Sequence, residues 1–314
     1  MQRNQVQFQK GLSLGAFLQR YGSEPQCAEA IFKARWPRGY RCRACGSRSH
    51  CRLRTRKLFQ CNTCKHQVSL TAGTLFASTR LPLTTWFLAI HLLTQSKHGI
   101  SSLELARQLG VSQNTAWQLK HKLMQAMRER DERVPLAGIV QVDDAYWGGQ
   151  RHGQRGRGAA GKTPFVAAVE VTADGRPHKL RMSCVKGFRK AVLRSWAARH
   201  LRPGTRVHSD GLACFRGVAE AGCEHLATVT GGGPASCEQP RLRWVNTMLG
   251  NVKRSIDGTY HAIDAKHVPR YLGAFSYRFN RRYQLADLVP RLVYASANTP
   301  PMPGRLLKLD ESYV

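Results

Sequence analysis

Apolar positions along the chain change their period near the middle. From Gly11 to Lys33, Leu12, Leu14, Phe17, Leu18, Ala28, Ile31 and Phe32 recur at roughly helical intervals, interrupted by Gly22 and Pro25, which predicts two short helices. A cysteine-rich, strongly basic stretch follows, Arg41 to Lys65, and then a helical region from about Pro82 to Arg128. Beyond Gly138 the period shortens. GIVQVDDAYWGG, FVAAVEVTADG and HKLRMSCVKG are β-rich runs with Asp174-Gly175 as a hairpin signal, predicting three consecutive antiparallel strands. FRKAVLRSWAARHL then reads as an amphipathic helix, TRVHSDG as a strand ending in a turn, HLATVTG as another strand, and Leu242 to Ser255 as a helix.

The predicted order β-β-β-α-β-α-β-α is the layout of an RNase H-like α/β domain with a mixed sheet. The expected division is an N-terminal helical segment (1–35), a four-cysteine ribbon (36–70), a helical DNA-handling region (71–132), the α/β domain (136–290) and a C-terminal tail (291–314). Between the first two strands of the α/β domain, QRHGQRGRGAAGK carries Arg151, Arg155, Arg157 and Lys162 among glycines. It cannot form a core and is expected to order on nucleic acid, or else to be a solvated loop. The tail from Asn298, with Pro300, Pro301 and Pro303, is expected to be poorly ordered.

Charge narrows the functions open to such a chain. Lys and Arg total 49 against 19 Asp and Glu, a formal net charge of +30. A polyanionic partner is the economical explanation, because each phosphate neutralised releases condensed counterions. No stretch approaches the roughly 18 consecutive apolar residues of a membrane span, and MQRNQVQFQK lacks the apolar core of a signal peptide. A cytoplasmic, nucleoid-associated protein is expected. In a reducing compartment the 10 cysteines are read for metal spacing rather than disulfides.

Cys42-x-x-Cys45 and Cys61-x-x-Cys64 are separated by 15 residues, the spacing of a four-thiolate zinc ribbon. Four protein ligands leave no open position, so one structural Zn²⁺ is expected. Cys51, between the pairs, is read as a small buried residue. The ribbon also holds Arg41, Arg43, Arg48, Arg52, Arg54, Arg56, Lys57 and Lys65 with no acid between them, which favours phosphate contact over a merely solvated face. Further on, Ser101 with Glu104 three residues later starts a helix that Gly110 ends, and Ser112 caps the next. This is a helix-turn-helix pattern, with Ala116 and Leu119 packing inward and Gln113, Asn114, Gln118, Lys120 and Lys122 expected to face DNA. An ordinary pair of packed helices is the plainer alternative.

In a chain so poor in acids, carboxylates at strand ends stand out. Asp143 follows the apolar alternation of the first strand of the α/β domain, and Asp210 closes the fourth, which in an RNase H-like sheet lies beside the first. Two such carboxylates can bridge two divalent cations for in-line phosphoryl transfer. A third ligand is expected from a later helix, and WVNTMLGNVKRSI supplies Asn246, with Lys253 two helical turns on along the same face to hold a phosphate. Asp144, Glu238 and Asp257 are fallback acids, Asp144 pointing to the strand face opposite Asp143. His208 and His261 fit packing as well as catalysis. Arg278, Asn280, Arg281 and Arg282 fit a DNA channel or a solvated helix face.

These residues carry a resemblance. Trp36-Pro37, Gly39 and Cys42, QVDDAYWGG, VHSDG, WVNTMLGNVK, and GTYH followed by RYLGAFSYRFNRR resemble bacterial insertion-sequence transposases of the zinc-ribbon kind, whose RNase H-like domain carries an Asp, Asp, Glu or Asn, Lys signature. On that resemblance Asp143, Asp210 and Asn246 match the metal-binding positions and Lys253 the phosphate-contacting one. It implies two Mg²⁺ (or Mn²⁺) ions, double-stranded DNA of transposon ends and target as substrate, and a homo-oligomer assembled on DNA. Asn at the third position departs from the commoner Glu, since a neutral amide oxygen holds a cation less strongly. A DNA-binding regulator with an inactive RNase H-like domain, and a nuclease without strand transfer, are the competing readings.

Overall fold

The computed structural model describes residues 9–148, 161–229, 239–260 and 263–309. It divides into two compact units, Met1–Ala126 with Arg281–Leu307, and one centred on Met127–Asn280. Among the described residues no helix is long and apolar enough to cross a membrane.

The first unit begins with the two predicted helices, α1 (Leu14–Tyr21) and α2 (Glu24–Arg35). Ser13 Oγ accepts the Ala16 N–H at 3.2 Å, and Ser23 and Gln26 form a capping box at the start of α2. The ribbon is a three-stranded antiparallel sheet, β1 (His50–Leu53), β2 (Leu58–Cys61) and β3 (Gln67–Ser69). Its core is aromatic: Trp36, Tyr40 and Phe59 are buried with Cys42 and Cys61, and Phe32 packs against them. Three helices follow, α3 (Leu83–Gln95), α4 (Ser102–Leu109) and α5 (Gln113–Glu132). Ser101 Oγ accepts the Glu104 N–H at 3.1 Å and Gly110 ends α4 at φ 65°, a left-handed conformation that glycine adopts without steric cost. The pair α4–α5 is joined by the short turn the sequence predicted.

The second unit is built on a five-stranded mixed sheet: β4 (Ile139–Trp147), β5 (Thr163–Val171), β6 (Pro177–Cys184), β7 (Arg206–Ser209) and β8 (Glu224–Ala227), in the order β6-β5-β4-β7-β8. β4, β5 and β6 are antiparallel neighbours, and β4–β7 and β7–β8 are parallel. Alternation along β4 and β5 splits the apolar residues between two faces. Val140, Val142, Val166 and Ala168 face α6 (Lys190–His200), where Trp196 is fully buried. Ala145, Phe165, Ala167 and Val169 face α7 (Arg243–Asp257) and α8 (Val268–Asn280), which bring Val245, Leu249, Val252 and Leu272. The predicted order holds with one change: the element between β7 and β8 is a 3-10 helix, Ala213–Ala221, rather than an α-helix. It packs tightly on α6, and a Cβ on Gly217 would lie 2.3 Å from the Lys190 carbonyl oxygen.

The chain then returns to the first unit. α9 (Leu288–Ala297) and α10 (Gly304–Leu307) lie there, and α9 covers α2 and α3 with Leu288, Val289, Leu292 and Val293. The expected domain limits at 290 and 291 are therefore corrected: the main segment of the second unit stops at Asn280 and Arg281–Leu307 belongs to the first, because the apolar face of α9 is buried among N-terminal helices. For the described residues 298–309 the expectation of a poorly ordered tail is corrected too. Thr299 is buried with its Oγ1 donating to Ala295 O at 2.9 Å, and Leu307 is fully buried. Among the candidate channel residues, Asn280 holds an edge strand, its Oδ1 accepting the Leu180 N–H at 2.6 Å and its Nδ2 donating to Leu180 O at 2.9 Å.

A buried polar pair ties α6 to β6. Arg181 Nη2 donates to the carbonyls of Asp131 and Val134, and Nη1 lies 3.2 Å from His200 Nδ1. Burial, then the charges of Arg181, Arg199 and Arg128, push the His200 imidazole down to about 3, so it accepts as the neutral ring. A histidine depressed from its ordinary 6.5 stabilises the fold above that pH and loses the contribution as pH falls toward 3. The thermal midpoint is expected to fall between pH 6.5 and 4, and His200→Gln, which keeps an acceptor but cannot titrate, should flatten that fall; equal pH profiles for the two proteins would sink the assignment.

Candidate functional site

Two sites with chemistry stand out, one in each unit. In the ribbon, the four sulfurs of Cys42, Cys45, Cys61 and Cys64 lie within 4.8 Å of one another, with Cys42 Sγ to Cys64 Sγ and Cys45 Sγ to Cys61 Sγ both 3.5 Å. Four thiolates about 2.3 Å from a tetrahedral zinc are separated by about 3.8 Å, so the set fits the ion. The two knuckles repeat one design. Cys42 O accepts the Gly46 N–H and Cys61 O the Lys65 N–H, both at 3.0 Å, with Gly46 and Lys65 both at positive φ. The Cys64 and Thr63 N–H groups point at the Cys61 sulfur and draw its thiol down to about 6, favouring the thiolate that a metal binds. Cys51 is exposed on β1 rather than buried, and lies outside this group.

In the second unit, β7 pairs with β4 only through Ile139↔Arg206, Val140↔Val207 and Gln141↔His208. Continuing that register by two residues sets Asp143 level with Asp210. Carboxylate oxygens of Asp143, Asp144 and Asp210 all lie within 4.8 Å of one another. Asp144 was expected on the far face of the strand, and its oxygen nonetheless joins the group. The reason is the open edge: past Gln141 no β7 residue pairs with β4 among the described residues, so short side chains from either face can meet there. Asp143 Oδ1 folds along its own strand to accept the Asp144 N–H at 2.8 Å. Asp210 is held by the turn after β7, its Oδ1 accepting the Leu212 N–H at 3.0 Å. Three carboxylates so placed suit hard divalent cations such as Mg²⁺ or Mn²⁺; octahedral oxygen ligands of one Mg²⁺ are about 2.9–4.1 Å apart, and a metal pair spans more.

Asn246 lies in the first turn of α7, partly buried, and Lys253 is exposed two turns on. What fixes that turn is a residue the sequence reading did not single out. Gln141 is buried on the Asp143 side of β4; its Oε1 accepts the N–H groups of Trp244 and Val245 at 2.8 and 3.1 Å, and its Nε2 donates to Pro240 O. Leu242 at the N-cap offers no side-chain acceptor, so Gln141 caps α7 from the neighbouring strand. A lone amide in the apolar run IVQVDD was the available signal. His208, opposite Gln141 in the β4–β7 register, is buried, and desolvation with Arg241 nearby lowers its pKa, so it packs as a neutral ring. Asp257 is exposed at the far end of α7, while Arg151, Arg155, Arg157, Glu238 and His261 lie outside the described residues.

Residues 135–280 match the ISXO2-like transposase domain, and residues 22–67 match a transposase zinc-ribbon domain. A similar protein is described as an uncharacterized protein in transposable element ISH50 of Halobacterium salinarum, 24% identical over 216 residues, covering 63% of this chain and 71% of its own length. The transposase domain implies the RNase H-like fold that the sheet order displays. The chain thus carries matches to a transposase zinc-ribbon domain and to a transposase domain.

Among residues expected on a DNA-facing helix, the structure divides the set. Gln113 and Asn114 are exposed and Gln118 is partly buried. Lys120 is fully buried, which corrects its placement, because α5 is covered on more than one side. Lys122 is half-buried with Nζ 6.0 Å from the Trp86 ring. On the ribbon, Arg52, Arg54, Arg56 and Lys57 are all exposed at the β1–β2 hairpin. Arg281 and Arg282 are half-buried, and the Arg282 guanidinium stacks 4.2 Å over Tyr283.

Cys61→Ser is expected to lose stoichiometric zinc in metal analysis and to weaken DNA binding; full zinc content in a folded variant would remove the ligand assignment. Gln141→Leu leaves two helix N–H groups without an acceptor and should cost about 1–3 kcal/mol in denaturant unfolding, an unchanged midpoint speaking against the cap.

Proposed function

We propose that the protein binds the ends of an insertion element and carries out divalent-metal-dependent DNA strand cleavage and strand transfer. The observation that carries this reading is the convergence of Asp143, Asp144 and Asp210 at the open edge of β4 inside the ISXO2-like domain. Divalent cations bound there would activate an attacking water or DNA 3′-hydroxyl and stabilise the leaving oxygen. Asp143 and Asp210 hold the metals, and Asn246 adds an amide oxygen from the helix turn that Gln141 fixes against the same face of β4. Asp144 joins them as a further carboxylate. Lys253, one heptad after Asn246 and exposed, holds a phosphate of the DNA strand.

Substrate grip falls to the first unit. The exposed basic hairpin Arg52, Arg54, Arg56 and Lys57 contacts phosphates, and α4–α5 acts as a helix-turn-helix that presents Gln113 and Asn114 to base edges. As in the resemblance, the protein works as a homo-oligomer on DNA.

The test is incubation of the full chain with labelled DNA carrying the element's ends, in Mg²⁺ or in EDTA. Wild type is expected to give cut and joined products only with the metal. Asp143→Ala, Asp210→Ala and Asn246→Ala should each lose at least about a hundredfold in rate while retaining end binding. End binding without cutting in Mg²⁺ or Mn²⁺ would leave a DNA-binding protein with an inactive domain as the better account.

A further inference from the structure

A cavity of about 930 Å³ opens in the first unit between the C-terminal end of α2, the first knuckle of the ribbon, and the segment that follows α9. Arg35, Arg38, Arg41 and Arg43 line it, with Gly73 and Pro300 among the other walls, and no Asp or Glu lies in its lining. Four arginines thus line one space, and no carboxylate pairs with any of them among the described residues. Arg38, Arg41 and Arg43 are exposed; Arg35 is 8% exposed.

Arg35 makes this a built site rather than a basic patch. Its Nη1 donates to the carbonyls of Ser69 and Leu70 at 2.7 and 2.6 Å, and its guanidinium lies 4.5 Å over the Trp36 ring, so its plane is fixed. Nε and Nη2, the two donors of its side-on edge, have no partner among the described residues. A buried cation with unused donors is costly unless an anion approaches it. Gly73 contributes by lacking a side chain: at φ 72°, its Cβ would sit 2.8 Å from Arg43 Nη1, displacing that guanidinium.

We propose that this cavity seats phosphodiesters of a DNA strand, with Arg38, Arg41 and Arg43 contacting the phosphate oxygens above the fixed positive floor of Arg35. The site rests on the reading of the protein as DNA-binding and adds to it a phosphate seat distinct in residues from the β1–β2 hairpin. Planar guanidiniums suit this ligand, because each can pair two N–H groups with two phosphate oxygens.

The test is anisotropy of a fluorescein-labelled duplex carrying the element's ends, titrated with the full zinc-loaded chain at several salt concentrations. Arg38→Gln, Arg41→Gln and Arg43→Gln combined should weaken binding by at least about tenfold and lower the slope of log affinity against log salt by about two. Lys33→Gln, on α2 outside the lining and paired with Glu29, should change neither. A triple variant with full zinc content, unchanged affinity and unchanged slope would overturn the seat while leaving the DNA-binding reading intact. Failure of wild type to bind the duplex would remove both. A greater loss on an RNA duplex of equal length than on DNA would assign the cavity to RNA and overturn the proposal as stated.

Discussion

The second unit depends on where β7 stops. β4 is bonded along its length to β5 on one side, and to β7 on the other only as far as Gln141. That early ending leaves the outer half of β4 with one open edge in the middle of an otherwise covered sheet. Three acids collect there, and no buried position elsewhere in the sheet would accept so much negative charge. The rest of the unit serves this geometry: α6 and the 3-10 helix cover one face, α7 and α8 the other, and Gln141 ties the start of α7 to the strand that carries Asp143 and Asp144.

The first unit is held differently. Its ribbon is too small to bury a large apolar core, and depends on a few aromatics from α2 and β2 together with two matched knuckles that converge four thiolates. Metal binding in such a segment is folding free energy. α9 adds what the ribbon lacks, an apolar helix laid over α2 and α3 from the far end of the chain. Its end and the following prolines also form one wall of the arginine-lined cavity, so the C-terminal segment shapes a surface that the N-terminal sequence charges.

Much of this was legible beforehand for local reasons. A pair of Cys-x-x-Cys motifs specifies its own turns, so the zinc site needed only spacing. Period-two alternation in β4 to β6 and the Asp174-Gly175 turn identified the meander, and Thr172 N–H to Arg176 O at 2.9 Å closes that hairpin. Asp143 and Asp210 followed from their places at strand ends. Parity along β4 assigned Asp144 to the face opposite Asp143, yet its carboxylate lies with those of Asp143 and Asp210, because parity says nothing about an edge around which both side chains can turn. Lys120 was misplaced because one helical stripe was assumed to be buried, whereas α5 is covered on further sides.

By itself, then, the sequence indicated most helices and strands up to α7, the four cysteines that converge in the ribbon, a strand order consistent with an RNase H-like sheet, and two of the three acids that cluster in the second unit. These are properties of spacing and period, which act within a few residues. Tertiary structure alone decided that 281–307 folds back onto the N-terminal helices, that Gln141 caps a helix about 100 residues later, that Asp144 joins Asp143 and Asp210, and that buried Arg35 shares a cavity lining with three exposed arginines. Each of those depends on surfaces far apart in the chain being brought together, a matter of packing that no local pattern encodes.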